Sequence, residues 1–79
     1  MLKGDDYKNV CNNICWLRQE WGLSRTAMAK QLHIAVKTLD LLESGVFPER
    51  INIGFFFYVQ QMFGVSPNTL LTRRLGEEL

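Results

Sequence analysis

No stretch of this 79-residue chain is long and apolar enough to span a membrane. Its opening, MLKGDDYKN, has no apolar run of the kind a secretory signal needs. These two absences predict a cytoplasmic protein with reduced thiols and no membrane partner. An excess of either charge is missing as well: the formal net charge is +1. Such a balance does not by itself announce a nucleic-acid partner, so any electrostatic case rests on where the charges sit. Asp5 and Asp6 lie at one end, and Glu77 and Glu78 at the other. Arg18, Arg25, Lys30 and Lys37 fall in the first half, with Glu20 the only acid among them.

Histidine occurs once, at His33, and cysteine twice, at Cys11 and Cys15. The two thiols share one helix face, one turn apart. A metal would need two further ligands, so both read as small, partly buried side chains, and no metal or cofactor is expected. No pair of acids is placed to make a recognisable catalytic site, and no small-molecule ligand is evident, so the chain does not read as an enzyme. Alternating strand patterns, internal repeats, low-complexity segments and linkers are also lacking. What is present is 47% hydrophobic residues, too many for a disordered chain. One domain over residues 1–79 follows, with a core thin enough that a second subunit would help to bury it.

Every segment predicts helix. Asp5 or Asp6 caps the first, which runs to about Trp21 with Val10, Ile14, Leu17 and Trp21 inward, and Gly22 ends it. Ser24 caps the second, Arg25 to about Leu32, with Met28, Ala29 and Leu32 inward. Ala27 stands where a full capping box would have Glu or Gln. His33 and Ile34 form a turn that must visit positive φ, which histidine tolerates better than most non-glycine residues, so His33 is a turn residue and not a catalyst. The third helix covers about Val36 to Ser44, with Leu39 and Leu42 inward and Gly45 closing it. VFPERIN is the one substantial loop. The fourth helix spans about 53–63, and Ser66-Pro67 opens a fifth with a strong start signal. The tail, about 72–79, is expected to fray.

Helices two and three, joined by a tight turn within about 24–44, have the layout of a helix-turn-helix. The residues WLRQEWGLSRTAMAKQLHIAVKTLDLLESGVFP, followed by FGVSPNTLL, resemble the Xre-type, phage-repressor-like helix-turn-helix family over about residues 9 to 71. The features that carry it together are LR in helix one, LS opening helix two, Ala29, ESG closing helix three and FGVS before helix five. The resemblance implies an all-α, compact five-helix domain that binds double-stranded DNA. Arg18 and Glu43 match the family's structural ion pair between helices one and three. Arg25 stands where the family usually has Gln, near a phosphate. Val36, Lys37 and Leu41 take the outward, base-reading positions of the recognition helix, with Thr38 beside them. A helix suits the major groove because each base pair shows a distinct edge there. Its N-terminal end points in while the preceding helix crosses the phosphates.

The pattern is broken at three places. Ala35 replaces the usual Ser or Thr cap of helix three and removes an oxygen, a loss on the order of 1 kcal/mol. Asp40 puts a negative charge on the recognition helix, able to accept from cytosine N4 but repelled by phosphate. Leu41 can touch only a thymine methyl, as can Val36. On the fourth helix, a wheel at about 100° per residue places Ile53, Phe56, Phe57, Val59 and Phe63 on the core arc. Gln60 then points into the middle of that arc. Phe55, Tyr58 and Met62 fall on the opposite side as an apolar stripe, which predicts a homodimer interface.

The function expected is a sequence-specific transcriptional regulator bound to a DNA operator, with Arg25, Lys37 and backbone amides on phosphates and Val36, Lys37, Asp40 and Leu41 reading bases. Two rivals share the scaffold. One is a protein-interaction module, antitoxin-like or regulator-binding, using Val36, Leu41 and the Phe55 stripe. The other is a ligand-sensing switch, which would need an external sensor.

Overall fold

The computed structural model describes residues 4–48 and 51–77. Helix α1, Gly4–Glu20, starts with Asp5 and Asp6 in its first turn and carries Arg18 in its last, both favourable to the helix dipole. Beyond it, Gly22 takes φ +64°, and the amides of Gly22 and Leu23 donate back to the carbonyls of Gln19 (3.1 Å) and Arg18 (3.0 Å). That reversal needs the left-handed conformation a glycine adopts at no steric cost.

Helix α2, Arg25–Gln31, is capped by Ser24, whose Oγ accepts from the Ala27 amide at 3.1 Å. It ends the same way as α1 but without glycine. His33 holds φ +57°, its amide donates to Lys30 at 3.2 Å, and the Ile34 amide donates to Ala29 at 3.0 Å. Helix α3, Val36–Glu43, begins at Ala35 with no side-chain cap. Helix α4, Gly54–Phe63, is opened by Asn52 Oδ1, which accepts from the Gly54 amide at 2.8 Å. Helix α5, Pro67–Thr72, has Ser66 Oγ accepting from the Thr69 amide at 3.2 Å. No strand occurs among the described residues.

α1 packs against α3 and α5, α2 against α3, and α4 against α5. The core between them holds Val10, Ile14 and Leu17 of α1, Met28 and Ala29 of α2 with Leu32 just after it, Leu39 and Leu42 of α3, Phe55 and Val59 of α4, and Leu70 of α5. Burying a side chain of this kind is worth about 1.5–3 kcal/mol.

Four expectations from the sequence are corrected. Trp21 is 53% exposed, because α1 stops at Glu20 and the ring lies beyond the helix, edge-on to Phe63 at 4.9 Å. The core arc of α4 is only partly as expected: Val59 is fully buried and Phe56 and Phe63 pack on the core, but Phe55 is 1% exposed, while Ile53 is 76% and Phe57 64% exposed. Gln60 faces solvent instead of the core. The tail does not simply fray over its described part. Leu75–Glu77 forms a 3₁₀ turn, and Leu75 packs on the core. Glu78 and Leu79 lie outside the described residues.

The tail is held by asparagines of α1. Asn13 is buried, and its Nδ2 donates to the carbonyls of Leu70 (2.8 Å) and Arg73 (2.6 Å) while its Oδ1 accepts from the Leu75 amide at 3.0 Å. Asn9 Nδ2 adds a bond to the Leu71 carbonyl at 2.9 Å. Gly76 then passes so close to Trp16 that an added Cβ would lie 2.6 Å from the indole.

Candidate nucleic-acid interface

Leu39 and Leu42 bury one side of α3 completely, which turns Val36, Lys37, Asp40 and Leu41 outward into solvent. Thr38 lies at the edge of this face, half-buried. The helix is seated by its last residue. Glu43, its side chain only 4% exposed, receives two bonds from the Arg18 guanidinium, Nε to Oε2 at 2.7 Å and Nη2 to Oε1 at 2.9 Å. Arg18 also donates from Nη1 to the Leu23 carbonyl at 3.0 Å. One guanidinium therefore ties α1, the α1–α2 turn and α3 together. The fork geometry is of the strong, charge-assisted kind. It holds the Arg18 pKa above its already high ordinary value, chiefly through the hydrogen bond to Glu43.

The Cys15 thiol belongs to this seat. Cys15 Sγ donates to Glu43 Oε1 at 3.6 Å. Burial pushes its pKa up, and the Glu43 charge adds to that. Cys11, buried in the core, is raised by burial as well. Raised thiol pKa values leave little thiolate, the form that attacks electrophiles or binds metals.

Arg25 is brought to the same place in a way the sequence did not reveal. Its side chain is exposed, yet Nε lies 3.5 Å from Glu43 Oε1 and 3.8 Å from Asp40 Oδ1. Asp40 and Arg25 thus face each other across the α2–α3 surface and partly cancel. Lys37 lies on the open side of α3. Sequence reasoning also missed Val46. The α3 helix ends by folding the Val46 amide back onto the Leu41 carbonyl at 2.9 Å, which leaves Val46 exposed. The signal was Gly45, since the residue after such a glycine commonly lies back along the helix. Lys37, Asp40, Leu41 and Ser44 line an open hollow of about 510 Å³ on this face. Ala35 offers no oxygen to the first amides of α3.

The stripe proposed on α4 does not come together. Phe55 is in the core, edge-on to Phe56 at 5.3 Å, and is corrected as an interface residue. Tyr58 is half-buried under the His33 ring, stacked at 4.0 Å with 25° between planes. Met62 is half-buried beside the same pair. The α2–α3 turn therefore covers part of this side of α4. Exposed apolar surface lies elsewhere, at Ile53 just before the helix and at Phe57 within it.

Among the described residues no helix is long and apolar enough to cross a membrane. Compared with protein-family models, with curated proteins and with solved structures, the chain finds no match.

Proposed function

We propose that this chain is a sequence-specific DNA-binding regulator of the phage-repressor-like helix-turn-helix type, acting in the cytoplasm as a homodimer and carrying out no catalysis. The observation that carries the reading is the seating of α3. Its inner side is buried and its last residue is clamped by Arg18, so Val36, Lys37, Asp40 and Leu41 stand out on a rigid support. A rigid, protruding helix is what the major groove admits. Lys37 contacts phosphate or a guanine edge, Val36 and Leu41 meet thymine methyls, and Asp40 accepts from a cytosine amine. Arg25 contributes charge to the flanking phosphates, weakened by its two acidic neighbours. Two such helices about 34–36 Å apart would meet successive major grooves.

The test is fluorescence anisotropy on duplex DNA from upstream of the protein's own gene, against scrambled duplex, over a series of salt concentrations. Tight, salt-sensitive preference for the upstream DNA is expected. Lys37→Ala should weaken binding and flatten the slope of log K against log salt by about one. Absence of binding to either duplex at low salt would sink the reading.

A second reading has its own support. The Arg25 guanidinium is shared with Asp40 and Glu43, and Val46 extends the apolar surface of Leu41. Both features suit a protein partner better than a polyanion, and in that case association would depend little on salt.

A further inference from the structure

Ile53 and Phe57 are the most exposed large apolar side chains among the described residues. Beside them lies a hollow of about 260 Å³ lined by Ile53, Phe56, Phe57, Pro67 and Leu71. We propose that this α4–α5 face is a docking surface for a second copy of the same chain, related by a two-fold axis. The inference rests on the homodimer part of the proposed function and moves its interface away from Phe55, Tyr58 and Met62.

Three features select a second copy over another partner. A two-fold interface requires a patch complementary to itself. Here a protruding ring, Phe57, and an apolar hollow adjoin on one face, so each Phe57 can enter the hollow of the other molecule. Charge is the second feature. From Ile51 to Thr72 the chain has no Asp, Glu, Lys, Arg or His. Across a two-fold axis a charged group meets its own sign, and an uncharged face escapes that repulsion. A partner chosen by charge would find nothing to read there, in contrast to the α3 face with Lys37 and Asp40. The third feature is the kind of polar side chain in the same uncharged stretch. Asn52, Gln60, Gln61 and Asn68 are all exposed. An amide side chain holds both donor and acceptor, so it can pair with its own copy, which a carboxylate or an ammonium cannot do.

The test is sedimentation equilibrium of the full chain without DNA over a wide concentration range. Reversible dimerisation is expected. Phe57→Glu should weaken it by at least about tenfold, as loss of a central aromatic anchor does. The ring is largely in solvent, so the variant should keep its helical circular dichroism and melting temperature. Ile53→Gln is a milder second variant with the same expected direction. Mixing Phe57→Glu with Phe57→Lys should give a tighter dimer than either variant forms alone, because the two positions meet near the axis. A wild-type chain that stays monomeric at every concentration, or a Phe57→Glu chain that dimerises as well as the wild type, would overturn the proposal. Neither result bears on DNA recognition by α3, which can fail with this dimer intact.

Discussion

Replacing Arg18 with alanine tests whether α3 is held as the structure implies. The Glu43 carboxylate is 4% exposed and takes two short bonds from Arg18, at 2.7 and 2.9 Å. Removing one partner of a buried pair strands the other charge, at a cost of about 3–5 kcal/mol. Two groups soften that cost: the Arg25 Nε at 3.5 Å and the Cys15 thiol at 3.6 Å. The lower end, about 3 kcal/mol, is therefore expected. A domain of 79 residues has a total stability of only about 4–12 kcal/mol. Its unfolding entropy, at about 2.1 cal/mol/K per residue, is about 0.17 kcal/mol/K, so the melting temperature should fall by about 18 °C. Thermal unfolding followed by far-UV circular dichroism at neutral pH measures it. The double variant Arg18→Met with Glu43→Leu should recover most of the loss, because the stranded charge is gone. A fall of less than about 5 °C for Arg18→Ala, on the same scale, would show that Glu43 rehydrates freely and that the pair does not seat α3.

Two further outcomes follow from contacts at the site and the tail. Asp40→Asn removes the charge that faces Arg25 and would face phosphate, so anisotropy should read tighter binding to duplex DNA, with a steeper salt dependence; unchanged affinity and slope would place Asp40 away from the DNA. Asn13→Ala deletes three hydrogen bonds and leaves the Leu75 amide and the Arg73 carbonyl without that partner, which should cost about 2–3 kcal/mol in urea unfolding; a change below about 0.5 kcal/mol would mean that water replaces the side chain.

Much of the architecture could be read before any coordinates. Ser24 and Ser66 cap where capping chemistry placed them, His33 takes the positive φ assigned to it, and Arg18 meets Glu43. Those features are local, or follow a known pattern of residues. The phase of α4 was not legible from its apolar residues, because nearly every position is apolar and a wheel then has no contrast. The contrast lay in the glutamines. Gln60 and Gln61 mark the solvent side, and stepping back by three, four and seven or eight residues leads to Phe57 and Ile53, the two that are exposed. Trp21 was misplaced for a different reason: periodicity was carried one residue past the end of the helix. Arg25's proximity to Asp40 depends on how α2 leans on α3, which no pattern within either helix encodes.

The bonds from Asn13 to the segment around Leu70 also set a timetable for synthesis. The donor and its acceptor are 57 residues apart. A ribosome adding about 5–20 residues per second needs about 3–11 s to cover that distance. During that interval Val10 and Ile14 of α1 lack the cover that α5 supplies, and most of a helix's stability in a protein comes from packing its apolar face. The helix that presents Lys37 is made early but gains its full support late, when the nascent chain delivers Leu70 and Leu75 to α1. Until the tail is made, the apolar side of α1 lacks the cover that Leu70 and Leu75 supply in the folded chain.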